Sequence, residues 1–178
     1  MINLVIFSGS NKPKDDNLIE TELLYIANNI DIYNYNIWYG GGESGLMGII
    51  PKKFSENGGN VTGVDAKQFA YKYGIPTFCK TIIMDTFVGR QNKLVSKGDI
   101  FLCLPGGIGT LSELFDVLVN IDVNNKKYKI ILFSYNNFFE HIINFIYSKI
   151  EEGFIREKIL DKLIVCKNSK EIVNNLKL

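Results

Sequence analysis

Residues 100–113 read IFLCLPGGIGTLSE, and this stretch bears most directly on the fold. The apolar run 100–104 suits a strand buried on both faces of a parallel sheet. Pro105 ends the run, and Gly106, Gly107 and Gly109 provide a turn. Residues 111–120 then resume a helical pattern of apolar positions. A buried strand that passes through a glycine turn into a helix is one step of an alternating strand–helix chain.

The same alternation extends outward in both directions. Residues 4–7, 37–39, 61–64, 81–84 and 130–133 read as further strands. Residues 17–30, 46–56, 66–73, 87–96 and 138–150 read as helices, and 172–178 closes the chain. Pro51 is expected to kink the helix over 46–56 or to set a fresh start within it. The polar run Asn124-Asn125-Lys126-Lys127 is too short to separate domains, and no internal repeat is present. The expected architecture is therefore one α/β domain over residues 1–178, a parallel sheet covered by helices on both faces. Ligands of such sheets bind outside the carboxyl ends of the strands, near the point where the strand order switches.

Two glycine-rich loops fall at those ends. Residues 39–48, YGGGESGLMG, follow an apolar strand, and 104–113 follow another. Glycines allow positive φ and close backbone approach, and a following helix N-terminus offers unpaired N–H groups to an anion. Either loop could instead be a tight turn without a ligand. Thr110 could serve only as an N-cap, and Thr110-Leu111-Ser112-Glu113 fits the capping-box pattern, which is the structural reading of Glu113. Neither loop has the dinucleotide fingerprint, and no G-x-x-x-x-G-K-[ST] loop occurs. The local chemistry reaches a phosphate-bearing ligand and stops there.

Composition limits the partners. The chain has 178 residues, 46% of them apolar, and a net charge of +1, which gives no reason to expect a nucleic acid polymer. Cys79, Cys103 and Cys166 are scattered, and the single histidine, His141, is flanked by apolar residues. No zinc constellation or disulfide framework emerges, and a reduced, cytoplasmic setting is expected. The apolar run near the N-terminus is too short for a signal peptide core or a membrane span. Asp15, Asp16, Glu20 and Glu22 read as an acidic helix start favoured by the helix dipole. Lys52 and Lys53 read as a solvated face. Trp38 is expected to pack beneath the first glycine loop, with base stacking as the alternative. Phe138, Phe139, Phe145 and Tyr147 are assigned to the core or to a dimer face.

YGGGESGLMG followed by PGGIGTLSE resembles the LONELY GUY family of cytokinin riboside 5′-monophosphate phosphoribohydrolases, also called possible lysine decarboxylases. The resemblance begins at VIFSGS and extends to GFI at residues 153–155. It implies a Rossmann-like fold, a homodimer, and release of a free base and ribose 5-phosphate from a nucleoside 5′-monophosphate. It places the catalytic glutamate on Glu113 and an essential arginine on Arg90. Gly106, Gly107, Gly109 and Thr110 match the phosphate and ribose loop, Gly41, Gly42 and Gly45 the first loop, and Ser8 and Gly9 the opening turn. No cofactor is implied, since a pyridoxal phosphate enzyme needs a Schiff-base lysine and no motif indicates one.

The chain also departs from the family pattern. Val88-Gly89-Arg90-Gln91 stands where a His-Glu-Arg-Lys run is common, and Ser112 replaces the first of two adjacent glutamates. Asn120 and Asp122 stand in place of a Trp and a Gln, and Val64-Asp65 in place of an Ile-Pro pair. Phosphate and ribose machinery is thereby expected to be kept while the base pocket changes. Two other functions fit the same motifs: a nucleotide sensor or carrier that does not hydrolyse, and a hydrolase of another ribosyl phosphate such as an ADP-ribose derivative.

Overall fold

A computed structural model describes residues 1–14 and 18–177. The acidic start expected at Asp15 and Asp16, the helix start at Asn17 and the final Leu178 lie outside the described residues. Seven strands form a single sheet: β1 (Ile2–Phe7), β2 (Tyr35–Tyr39), β3 (Asn60–Ala66), β4 (Lys80–Met84), β5 (Ile100–Cys103), β6 (Lys129–Phe133) and β7 (Leu163–Cys166). Their order is β4-β3-β2-β1-β5-β6-β7. Every neighbouring pair is parallel, with Val5 opposite Trp38 on one side and Phe101 on the other.

Successive strand residues point to opposite faces, and both faces are apolar. Leu4, Ile6, Ile37 and Leu102 join Ile19, Leu23, Ile26, Phe54 and Ile172 in one core layer. Those partners come from α1 (Leu18–Asn29), α2 (Ile49–Glu56) and α7 (Ser169–Leu176). Val5, Phe7, Phe101 and Cys103 join Leu94, Leu114, Val117, Leu118 and Ile146 in the other. These belong to α4 (Phe87–Lys97), α5 (Ile108–Asn124) and α6 (Glu140–Glu151), while the short α3 (Lys67–Tyr73) follows β3. Each fully buried Leu, Ile or Phe in these layers stabilises the fold by about 1.5–3 kcal/mol. The expected parallel sheet with helices on both faces is what the structure has.

Several boundaries differ for identifiable reasons. Pro51 does not kink α2 but marks its start, which falls at Ile49 and not at 46. The helix begins at Ile49, so Pro51 lies in the first turn, where a missing N–H breaks no intrahelical bond. The cap of α5 is Gly107, and Thr110 lies inside the helix, so the capping-box reading of Thr110 and Glu113 is overturned. At its other end α5 runs past 120 to Asn124 and stops at Asn125 in the left-handed conformation, φ 50°. Phe138 and Phe139 precede α6, where the Phe139 N–H donates to Ser134 Oγ at 3.1 Å. Strand β7 has no signal in the sequence: four residues behind a short 3-10 helix, Glu157–Lys162, give too little periodicity to read. Among the described residues no helix is long and apolar enough to cross a membrane.

β1 leads by way of α1 to β2 on one side, and β5 by way of α5 to β6 on the other. The strand order therefore reverses between β1 and β5, and the crevice at their carboxyl ends is the expected ligand position.

Candidate functional site

Three loops meet over that crevice. Gly9, just after β1, donates its N–H to the Pro105 carbonyl at 3.2 Å and accepts from the Leu46 N–H at 3.1 Å. Gly9 is thus tied both to the loop after β5 and to the loop after β2. The contact with the second glycine loop is close enough to need glycine. A Cβ on Gly9 would lie 2.9 Å from Gly106 Cα. The loops enclose a cleft of about 1100 Å³, slightly above the roughly 300–1,000 Å³ usual for small-molecule sites.

The expected residues divide into two groups. Ser8, Gly9, Gly42, Gly106, Gly107, Gly109, Thr110, Arg90 and Glu113 line the cleft. Gly41 and Gly45 do not; they hold the loop in place. Gly41 has φ +78° and packs on Asp65, where an added Cβ would meet Asp65 Cβ at 2.9 Å. Gly45 has φ +64°, and a Cβ there would lie 2.3 Å from the backbone of Ser10. Gly107 and Gly109 are different, since a Cβ at either would meet nothing within 4 Å. Glycine there leaves room on the cleft side, at the positive end of α5.

Arg90 and Glu113 form the floor. Both are 6% exposed, and Arg90 Nη1 donates to Glu113 Oε1 at 2.8 Å. Arg90 also donates from Nη2 and Nε to the Gly40 carbonyl at 3.2 and 3.4 Å. Gly40 belongs to the first loop, and the sequence alone assigns it no role. A Cβ there would lie 2.0 Å from Arg90 Nη2, so glycine is what admits the guanidinium. One arginine therefore connects α4, α5 and the end of β2. Burial pushes the Glu113 carboxyl above the ordinary 4.5, and the Arg90 guanidinium opposes that shift. Burial also raises the Cys103 thiol on β5, with the Glu113 charge adding to it.

Ser8 Oγ is buried and, among the described residues, has no hydrogen-bond partner. Such orphaned groups are uncommon in folded proteins, and this one lies beside the glycine loops. A further residue at the cleft, Asp65, was recognised in sequence only as a departure from the family pattern. It is 5% exposed, and its Oδ1 accepts the Ala66 N–H at 2.8 Å. Beyond it, Phe69 and Phe87 pack edge to face at 5.9 Å, and the Arg90 guanidinium lies 5.7 Å from the Phe87 ring.

The other departures fall into place structurally. Gln91 donates to Ser112 Oγ at 3.0 Å, immediately beside the Arg90–Glu113 pair. Two substitutions distant in sequence thus meet as one neutral pair across α4 and α5. Asn120 and Asp122 do not line the cleft, so they do not alter a base pocket there. Asp122 instead accepts from Arg156 and Lys158, tying the end of α5 to the segment before β7. Trp38 is on the sheet face covered by α4 and α5 and does not line the cleft. Its indole N–H donates to Asn3 Oδ1 at 3.2 Å, and Lys97 lies over its ring, so neither packing under the loop nor base stacking describes it. His141 is exposed on α6. Phe139 is in the core, whereas Phe138, Phe145 and Tyr147 are exposed.

Comparison with known proteins places this geometry among relatives. Residues 47–176 match the family model described as "Possible lysine decarboxylase". A cytokinin riboside 5′-monophosphate phosphoribohydrolase of Arabidopsis thaliana is 27% identical over 172 residues, covering 96% of this chain and 75% of that one. One from Rhodococcoides fascians is 31% identical over 137 residues, covering 73% and 67%. Among solved structures, the molybdenum cofactor carrier protein of Chlamydomonas reinhardtii superposes with a TM-score of 0.70 at 15% identity, covering 99% of this chain and 96% of that one. The molybdenum cofactor binding protein of Rippkaea orientalis gives 0.63 at 14% identity, covering 98% and 93%. At these identities the structural likeness speaks to the fold alone.

Proposed function

This chain belongs to the LONELY GUY family, the possible lysine decarboxylases, and from that premise we propose that it hydrolyses the N-glycosidic bond of a nucleoside 5′-monophosphate. The observation that carries the reading is the buried Arg90–Glu113 pair on the floor of a cleft rimmed by two glycine loops. Binding a phosphate requires neither a carboxylate nor a guanidinium at that depth.

In this reading the 5′-phosphate rests at the N-terminus of α5, against the N–H groups near Gly107 and Gly109, with Ser8 Oγ as a further partner. The ribose then lies over Glu113. Cleavage builds positive charge at the anomeric carbon, and a carboxylate beside that carbon stabilises it. Arg90 holds one carboxylate oxygen and so fixes the orientation of the other towards the sugar. Water adds to the anomeric carbon, the C–N bond breaks, and its electron pair leaves with the base, which takes up a proton. The products are free base and ribose 5-phosphate. The same reading carries a homodimer, which light scattering of the purified protein checks.

The test incubates the protein with AMP and with N6-isopentenyladenosine monophosphate and separates the products by chromatography. Base and ribose 5-phosphate are expected from the wild type, and from Glu113→Gln at a rate lower by about 10²–10³-fold. A second reading, a nucleotide carrier without hydrolysis, draws support from the fold shared with the molybdenum cofactor carriers. A fold alone does not choose between the two. Recovery of intact bound nucleotide after long incubation would favour the carrier.

A further inference from the structure

Asp65 is a buried carboxylate facing a ligand cleft, and the nucleotide reading as stated gives it no task. It belongs to β3, opposite Ile83 of β4. The Gly41 backbone lies against its Cβ, so its position is set from the first glycine loop as well as from the sheet. Among the described residues, Asp65 makes one hydrogen bond, from the Ala66 N–H to Oδ1. An ionised carboxylate has about four acceptor sites, so most of its capacity is unused. Glu43, the other acidic residue on this side of the cleft, is exposed. Burial raises the Asp65 carboxyl, with the Ala66 N–H and the Arg90 charge opposing. A donor arriving from the cleft would relieve that desolvation.

The sheet supplies a ruler for what that donor is. Parallel strands are spaced by about 4.8 Å, so the three steps from β5 through β1 and β2 to β3 cover about 14 Å. The loop after β5 holds the glycines at the start of α5. Arg90 reaches from Glu113 to Gly40, at the end of β2. Asp65 is one strand further on. A nucleotide with its phosphate at α5 and its sugar over Glu113 directs its base towards Asp65. The half-buried Phe69–Phe87 pair offers that base an apolar wall.

We propose that Asp65 is the specificity-determining residue for the base: its carboxylate accepts a hydrogen bond from an amino N–H on the edge of the base and selects bases that carry one. This rests on the nucleotide reading above. A base without that donor leaves the buried carboxylate unpaired, which is why discrimination of this kind is strong.

The experiment compares AMP with two analogues, purine riboside 5′-monophosphate, which lacks the 6-amino group, and IMP, which has an oxygen there. The wild type is expected to favour AMP over the deaminated analogue in kcat/KM by roughly tenfold to hundredfold. Asp65→Asn keeps the shape and the Ala66 contact. It is expected to bring that ratio close to one and to raise IMP relative to AMP, because its amide can donate. Inhibition by ribose 5-phosphate, which has no base, stays unchanged in the variant. Equal use of AMP and the deaminated analogue by the wild type would overturn the proposal, and so would an equal loss on all three substrates in Asp65→Asn.

If the wild type hydrolyses none of them, the same three ligands are compared by calorimetric binding. A preference for AMP that Asp65→Asn removes upholds the Asp65 role and rejects hydrolysis of AMP. Equal binding rejects the Asp65 role alone. Failure to bind any of them rejects the nucleotide reading and the Asp65 role with it.

Discussion

Arg90 joins Glu113 to the Gly40 carbonyl through separate arms of one guanidinium, at 2.8 Å to the carboxylate and 3.2 and 3.4 Å to the carbonyl. A planar fork can make both contacts, whereas an ammonium cannot reproduce them. Glu113→Gln keeps the size and one acceptor but loses the charge. It is expected to fold normally and to lower kcat by about 10²–10³-fold, the range seen when one transition-state stabiliser is removed. Arg90→Met leaves a buried carboxylate without its counter-charge. It is expected to cost about 3–5 kcal/mol of stability, read by chemical denaturation, and to abolish turnover.

The pH profile follows from the same pair. The folded protein holds the Glu113 proton more tightly than an ordinary glutamate does, because burial outweighs Arg90. In the proposed reaction the ionised form stabilises the cationic sugar, so kcat is expected to fall as pH drops through an apparent pKa above 4.5. Stability through this group runs the other way. It is full below the unfolded value and is lost as pH rises through the raised folded one. Glu113→Gln is expected to remove both dependences, in rate profiles and in melting curves across pH. A rate limb unchanged in a residually active Glu113→Gln would assign it to another group.

The glycines give a contrast that separates folding from binding. Gly45→Ala forces a side chain into φ +64° and against the Ser10 backbone at 2.3 Å. It is expected to destabilise the protein by roughly 1–3 kcal/mol. Gly109→Ala meets nothing within 4 Å and lies in the first turn of α5. Its melting temperature is expected to hold or rise, since Ala is the better helix former by up to about 1 kcal/mol. Its KM for nucleotide is expected to rise on the order of tenfold, because close backbone approach to phosphate is lost. An unchanged KM in Gly109→Ala would separate that glycine from the ligand.

Ser8 Oγ carries a prediction of the opposite sign for stability and binding. Removing a buried hydroxyl that has no partner among the described residues spares its desolvation, so Ser8→Ala is expected to be as stable as the wild type or more so without ligand. With nucleotide it loses a contact, and affinity is expected to fall by roughly tenfold, about 1.4 kcal/mol. Thermal shift with and without AMP reads both effects. A large drop in the ligand-free melting temperature would show that Ser8 serves the fold.

The sheet was legible in the sequence because its strands are short apolar runs and the helices between them repeat apolar positions at helical spacing. Strand β7 escaped, since LIVC follows a 3-10 segment whose pattern suits neither period. The glycine loops identified one rim of the cleft, but not the parts lined by the segments 10–13, 73–76 and 135–138, and spacing could not separate Gly107 and Gly109, which face open space, from Gly41 and Gly45, which pack against protein. Spacing actively misled at Thr110, where a capping-box pattern one turn inside α5 resembled a cap. Arg90 had no local signal at all, because its partners are 23 and 50 positions away. Gly40 and the pairing of Gln91 with Ser112 depend on the same long-range meeting of α4, α5 and β2. Asp65 could be noticed as an unusual residue, yet only burial at the cleft gives it a place there.

The reversal of strand order between β1 and β5 has a consequence for the cell. Strands β1 to β4 and β5 to β7 are the first and second halves of the chain, and in the proposed function a nucleotide on the loops after β1 and β5 touches both. Occupancy then acts as a clamp across the seam, and mass action sets its strength. A ligand at one hundred times its dissociation constant adds about 2.7 kcal/mol to the unfolding free energy. The abundance of the protein would therefore follow the nucleotide pool, with empty molecules the first to reach the proteases.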